Sequence, residues 1–400
     1  MTTHPFIKFP PKLDEFPPRV WLLLGEIQAR IDHIKKLPIP RNESNLLRRM
    51  YLTKGVHSTT AIEGNSFSEE EVQRIIDGKL QAPPSREYQQ QQIDNMLNAF
   101  NIVGKTQLGG SSTPFTLEML NHYHAIILDN LDDSLADNVV IGSLRTHRVM
   151  VGRYLAAPPE DCAQLVDKYC DWLNQEMPEL DEYEIANQII KAMVAHVYFA
   201  WIHPYGDGNG RMTRLIEFVI LLRAGVPDVA AHLMSNFYNK TRDQYYAHLQ
   251  ASHGEYRDGS YPEKSNMLGF IGYALQGFKD ELDEQFLIVH AMQLRIIWHD
   301  YIHAEFRNRF SETLSTARQR QKRLILDLTI HRFDEPVSKD QIRDVSPALY
   351  LAYAERNKRM IQRDLNALVD MELLIQDEKG YKPNTDILLG FFANTRTDSE

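Results

Sequence analysis

EIANQIIKAMVAHVYFAWIHPYGDGNGRMTRLIEFVILLRAG, residues 184–225, reads as two buried helices joined by a tight loop. Residues 184–202 become apolar on nearly every side toward their end, the pattern of a helix inside a bundle. Pro204 disfavours the α conformation in His203, so the first helix stops there. The second runs on to Gly225, a residue suited to a helix C-terminus. A chain whose most apolar segments are paired helices is mainly α.

The loop itself, HPYGDGNGRMTR (203–214), carries chemistry. Gly206, Gly208 and Gly210 alternate, which allows positive φ and turns backbone N–H groups toward one point. With the helix start that follows, they form an anion site. Arg211 and Arg214 are three apart in the first helical turn and lean toward the same anion. Two cations there oppose the helix dipole, a conflict that a bound polyphosphate removes. Asp207 offers the hard oxygen that Mg²⁺ takes when it bridges phosphates. His203 stands at the mouth of the loop, with an ordinary pKa suited to taking a proton from a hydroxyl.

Composition limits what surrounds this site. Four hundred residues exceed one ordinary core, so two or three domains are expected. A net charge of −10 argues against nucleic-acid binding over the whole surface and leaves room for a local basic patch. Cys162 and Cys170 make neither a CxxC pair nor a disulfide framework, which fits a reducing cytoplasm. The N-terminus, MTTHPFIKFPPKLDEFPP, has no apolar signal region and reads as an extended arm over the surface. AMVAHVYFAWI (192–202) and LIEFVILL (215–222) fall short of the roughly 20 residues of a spanning helix, so no membrane segment is expected.

Helix-period patterns dominate the rest. A first helical region spans 1–108 and closes on the turn-rich GGSSTP (109–114); a second spans 109–310; a third spans 311–400. RTHRVMVGRYLAAPPE (145–160) is the exception, a β-prone run before a Pro-Pro break that predicts a small hairpin. His122 and His124 lie two apart in a helix, face different directions and form no zinc motif. His4-Pro5-Phe6 repeats the start of the loop motif without its glycines.

HPYGDGNGRMTR resembles the motif of Fic-domain proteins, HPFx(D/E)GNGRxxR, with Tyr205 in place of Phe as the one departure. RTHRVMVGR is similar to that family's flap hairpin, which docks a target segment by strand addition, and SNFYNKTRDQYYAHL (235–249) to its segment over the adenine. The resemblance covers about residues 50–260. It implies a Fic-type helical core with a β-hairpin flap, and a protein adenylyltransferase that moves AMP from ATP to a Ser, Thr or Tyr hydroxyl of a target protein. His203 would be the base, and Asp207 would hold Mg²⁺. Gly208, Asn209 and Gly210 would cradle the phosphates, and Arg211 and Arg214 would hold their β/γ end. Tyr246 and the flap residues Val149, Met150, Val151 and Gly152 would flank the nucleobase. Family analogy also suggests a homodimer.

TTAIEGN (59–65) follows a helical segment from about Asn42, with Gly64 as its C′ residue. Glu63 then sits at a helix C-terminus, where the dipole disfavours a carboxylate, so an outside cation should hold it. Ser68 with Glu71 makes a capping box that starts the next helix. TTAIEG resembles the family's inhibitory (S/T)xxxE(G/N) motif through Thr59, Glu63 and Gly64. That implies that Glu63 pairs with Arg214 and denies it to the γ-phosphate.

Residues 337–384 predict a winged-helix domain: a short helix, a turn with Pro347, a longer helix and two strands about a Glu-Lys-Gly turn. Arg356, Lys358, Arg359 and Arg363 on the longer helix, with RQRQKR (318–323) before it, give DNA as the functional reading of 311–400; protein contact is the other. Two alternatives accompany the transferase: a DNA-binding regulator that uses the nucleotide site as a sensor, and an AMP-removing enzyme in which Glu63 positions water. An intact His203 favours the transferase over the sensor, since sensing ATP needs no base.

Overall fold

The computed structural model describes residues 4–9, 16–108, 113–175, 184–262, 265–310, 313–331, 335–354 and 358–388. The chain opens with α1 (Pro18–Lys36), α2 (Arg41–Ile62), α3 (Glu69–Ile76), α4 (Glu87–Leu108) and α5 (Leu117–Ile127). A hairpin of β1 (Met150–Val151) and β2 (Tyr154–Leu155) precedes α6 (Pro159–Asn174), α7 (Glu184–Ile202) and α8 (Asn209–Arg223). Then come α9 (Asp228–Ala231), α10 (Leu233–Lys240), α11 (Arg242–Ser252) and the long α12 (Met267–Arg309). The C-terminal elements are α13 (Thr316–His331), α14 (Pro347–Tyr353), α15 (Lys358–Asp370) and the antiparallel strands β3 (Leu374–Asp377) and β4 (Gly380–Pro383).

Two compact units result, Met1–Phe286 and Leu287–Glu400. The division falls inside α12, N-terminal to the 310/311 boundary expected from the sequence, because Trp298, Ile302 and Phe306 of that helix are buried in the C-terminal core. No division between units occurs at 108/109: α2 packs against α8 and α10. Gly109 to Ser112 of the GGSSTP turn lie outside the described residues.

In the first unit α7 and α8 are the central pair and pack on each other. From Ile189 onward almost every apolar side chain of both is buried. By length and composition Ile185–Ile202 would be enough to cross a membrane, longer than the apolar run read from sequence, but 83% of it is buried inside the unit. α2 ends as expected: Glu63 is its C-cap and Gly64 follows at φ 96°. Both bonds of the Ser68–Glu71 capping box are present at the start of α3. The N-terminal arm lies less on the surface than its prolines suggest, since His4, Phe6 and Ile7 are buried.

The C-terminal core repeats every three or four residues, with Leu324 and Leu328 of α13, Ile361, Leu365 and Leu368 of α15, and Tyr381 of β4. Pro347 opens α14 at its first position, with the Ser346 hydroxyl accepting from Leu349 N–H, instead of making a turn. A pair of backbone hydrogen bonds between Val337 and Tyr381 adds an outer bridge to the hairpin. The helices followed by a two-stranded hairpin keep the element order read from the sequence.

Candidate functional site

α7 ends at Ile202, and His203 adopts φ 48°, a left-handed conformation uncommon for any residue but glycine. Arg145 holds it there. This guanidinium is 4% exposed and donates to the carbonyls of His203 (2.7 Å), His147 (2.7 Å), Ala157 and Ile202 (3.3 Å). The Arg145 backbone N–H donates to the Pro204 carbonyl at 2.9 Å. A cation at the C-terminal carbonyls of α7 suits the helix dipole. Arg145 thereby joins both ends of the flap hairpin to the residue after α7, a role that nothing in its local sequence signals.

Between α7 and α8 the loop is braced from within. The Asn209 side chain accepts from Tyr205 N–H (3.0 Å) and donates to the Tyr205 carbonyl (2.7 Å). Tyr205 is buried and its hydroxyl donates to Asn121 at 2.9 Å, which is the partner a Tyr needs where the family has Phe. His124, set aside in the sequence with His122 as forming no zinc motif, stacks on Tyr205 with ring centroids 3.8 Å apart. Its Nε2 donates to the Asp207 carbonyl at 3.0 Å, and its Nδ1 accepts from Gly142 N–H at 2.9 Å. Burial pushes this imidazole down to about 4, so it is neutral and can play both parts.

The three glycines divide their duties. Only Gly208 takes positive φ, 74°, as the N-cap of α8. Gly206 and Gly210 lie outside that region, which corrects the expectation that all three turn the backbone. They are required by close approach: a Cβ on Gly206 would press on Val139 and His147, and one on Gly210 would strike the Glu63 carboxylate.

Arg211 and Arg214 are 4% and 1% exposed. Arg211 reaches Asp207 at 3.5 Å, while its Nε and Nη1 have no hydrogen-bond partner among the described residues. Arg214 donates to the Thr59 hydroxyl (2.8 Å), the Thr59 carbonyl (2.9 Å) and Glu63 Oε1 (2.6 Å), and its Nη1 has no such partner. Burial alone would raise the Glu63 carboxyl, but Arg214 and then Arg211 hold it below the usual range. Thr59, which the sequence offered only as a letter of a motif, makes two of the three bonds. Asp207 is 48% exposed at its side chain and accepts from Gly208 N–H.

A cavity of about 340 Å³ opens beside the loop, lined among others by Glu63, His203, Asn209, Gly210, Tyr245 and Tyr246. Of the flap residues named from the sequence, Val151 and Gly152 line it; Val149 and Met150 do not. Tyr246 also donates to the Ile62 carbonyl at the end of α2, at 3.2 Å. Instead of the ordinary value expected from the sequence, burial pushes His203 down to about 4, although a hydrogen bond with the Ala200 carbonyl opposes this. The imidazole is therefore neutral near pH 7, and with one ring N–H given to a carbonyl its other nitrogen keeps a lone pair. Asp207, Gly208, Arg211 and Arg214 do not line the cavity; a helix start and a neutral imidazole at its wall, with unpartnered guanidinium N–H groups on the same first turn of α8, suit a bound polyphosphate and a proton transfer next to it.

The chain is similar to known proteins. Residues 114–221 match the Fic/DOC family. The chain is 29% identical over 198 residues to Protein adenylyltransferase fic-1 of Caenorhabditis elegans, covering 49% of this chain and 36% of that protein. It is 28% identical over 239 residues to Protein adenylyltransferase Fic of Nematostella vectensis, covering 59% of this chain and 51% of that one. The matches thus span about a third to a half of these relatives' length. A Fic family protein from Desulfovibrio desulfuricans G20 superposes with a TM-score of 0.55 at 20% identity, covering 93% of this chain and 94% of that one. Residues 134–508 of Fic-1 from Caenorhabditis elegans give 0.54 at 21%, covering 68% and 73%. These likenesses show a shared fold. The likeness to the Fic/DOC family is thus carried by residues 114–221, the stretch that holds the flap, α7 and the loop before α8.

Proposed function

We propose that the protein is a self-inhibited protein adenylyltransferase. The observation that carries this is the convergence, at the first turn of α8, of a neutral His203 with two buried arginines whose spare N–H groups lack partners. His203 takes the proton of a Ser, Thr or Tyr hydroxyl on the target. The freed oxygen attacks the α-phosphorus of ATP, the bond to the bridging oxygen breaks, and pyrophosphate leaves with its charge toward Arg211 and Arg214. Such a transfer depends on positioning and charge stabilisation, which fixed guanidinium groups and first-turn N–H groups supply. The Asn209 side chain is spent on Tyr205, so it contributes through its backbone. Tyr246, Val151 and Gly152 flank the nucleobase.

Mg²⁺ fits the residues present. Asp207 has one oxygen engaged by Gly208 and Arg211 and is half exposed, and Mg²⁺ is commonly held by one or two carboxylates together with substrate phosphates. Bound there, the cation would offset phosphate charge. The bond from Arg214 to Glu63 supports the inhibitory reading over one in which Glu63 positions water.

The C-terminal unit carries a separate proposal, contact with DNA. The whole charge of −10 lies in Met1–Phe286, because Leu287–Glu400 holds as many Lys and Arg as Asp and Glu. Arg359, Gln362, Arg363 and Asn366 share a face of α15 beside Lys339, side-chain types that read guanine and adenine edges. The RQRQKR run adds less than its letters suggest. Arg320 and Gln321 are bound to buried Asp364, and Arg323 to Asp327. Arg356 and the Lys358 side chain lie outside the described residues.

The deciding experiment incubates the protein with α-labelled ATP, Mg²⁺ and lysate and maps AMP on hydroxyl side chains by mass spectrometry. His203→Ala should abolish labelling while ATP binding persists. Labelling at the parent rate in that variant would place the base elsewhere. For α15, loss of duplex binding in Arg363→Ala at moderate salt is the expected outcome.

A further inference from the structure

The flap is too short to hold itself. Each strand has two residues, and an isolated two-stranded ribbon is marginal in water. Val151 pairs with Tyr154 across the Gly152-Arg153 turn, and Met150 pairs with Leu155. In a hairpin closed by a two-residue turn, the pair next to the turn is hydrogen-bonded and the following pair points its N–H and C=O groups outward. The next pair closes again, with Ala156 N–H donating to the Val149 carbonyl at 3.1 Å. The outward groups are therefore those of Met150 on one edge and Leu155 on the other.

Both outward groups of Leu155 are taken by side chains. Its N–H donates to the Tyr261 hydroxyl at 2.7 Å, and its carbonyl accepts from His4 Nε2 at 2.9 Å. His4 and Tyr261 are 2% and 4% exposed and lie 5.0 Å apart, ring to ring. Tyr154 sits under them, with its own hydroxyl donating to the Trp201 carbonyl at 2.7 Å. The arm that brings His4 here is pinned to α7: Phe6 packs edge-on against Trp201 at 4.6 Å, and the Tyr198 hydroxyl donates to the Lys8 carbonyl. Met150, by contrast, is 68% exposed.

We infer that His4 and Tyr261 are positioning residues that close the β2 edge of the flap, hold its pitch over the cavity, and leave β1 as the edge along which a target segment aligns. The inference rests on the proposed transferase reading, with the flap docking a target as the resemblance to Fic-domain proteins implies. His4-Pro5-Phe6, which shares letters with the active-site loop and none of its chemistry, thereby has a task of its own. An unbonded β2 edge would let the hairpin swing and would offer a second, unproductive line of backbone groups.

The test uses the full chain in a Glu63→Gly background. Tyr261→Phe keeps the ring and removes the acceptor, His4→Ala removes the donor, and His4→Gln keeps a donor. Hydrogen exchange over residues 149–156 should rise roughly tenfold in the first two and less in the third, the scale of one lost buried hydrogen bond. Binding of a fluorescent ATP analogue should stay within about twofold, while AMP labelling of a random peptide library with one central Thr falls several-fold. Unchanged flap exchange in Tyr261→Phe, or ATP affinity that falls as far as labelling does, overturns the inference. If the Glu63→Gly parent labels no peptide or protein yet its flap exchange responds as described, the positioning of the flap stands and the transferase reading fails.

Discussion

Under the proposed self-inhibition, Arg214 is the side chain through which Glu63 holds the site shut. Buried to 1% exposure, it gives its Nε and Nη2 hydrogens to Thr59 and Glu63, while Nη1 has no partner among the described residues. Glu63→Gly removes a charged hydrogen bond, so without nucleotide the variant should lose about 1.5–3 kcal/mol. Added ATP should restore the loss, since ligand that binds only the folded state stabilises it. Transfer should rise at least about tenfold, an effect of one such bond, and Arg214→Ala in the same chain should cancel the gain. Labelled-ATP rates on the three chains check this; no gain in Glu63→Gly removes the inhibitory role. Arg145 makes a second prediction at this scale. Lysine cannot fork to four carbonyls, so Arg145→Lys should release His203 from its left-handed backbone. In the Glu63→Gly background kcat should fall at least about tenfold while ATP affinity barely moves. A change in KM for ATP alone would show that Arg145 only shapes the cavity.

Among the elements, the start of α8 is where helix packing and ligand space meet. α2 brings Glu63 against the Gly210 backbone so closely that a methyl group there has no room. Gly210→Ala should therefore expel the Glu63 carboxylate and cost about 1–3 kcal/mol by overpacking. In the Glu63→Gly background the same change should cost little, and melting curves of the four chains close the cycle. A fully additive loss would mean that some other group fills the space. The loop before α8 is fixed by partners on other elements: Asn121 and His124 of α5 hold Tyr205 and Asp207, and Arg145 holds His203.

For the whole molecule, the two units predict where the chain can be cut. A protein ending at Phe286 should fold and bind ATP, whereas one ending at residue 310 leaves Trp298, Ile302 and Phe306 without their core and should aggregate. Gel filtration of both decides it; equal behaviour would mean that α12 needs no partner. Acid should also destabilise the folded state. Burial holds His124 and His203 at about 4 and His232 at about 3. An unfolded imidazole takes its proton near 6.5. As pH falls from 6.5 toward 4 the unfolded chain gains protons that the folded one refuses, so stability drops across that window. A Tm that stays level from pH 7 to 4.5 would show that these rings titrate normally.

Local chemistry alone placed the loop, the end of α2 at Glu63-Gly64, the Ser68 capping box, the flap hairpin and the C-terminal hairpin. Each is decided by a few consecutive residues whose backbone preferences or mutual hydrogen bonds are fixed by type. The tertiary structure decided the rest: that Arg145 anchors His203 from 58 positions away, that His124 braces Asp207 from 83, and that His4 reaches Leu155 across 151. It also decided that Gly206 and Gly210 serve close approach instead of positive φ, and that Arg320 serves Asp364 before any phosphate. The reason is common to all of these. A buried polar group or a tight contact finds its partner wherever packing brings one, and spacing along the chain does not record that place.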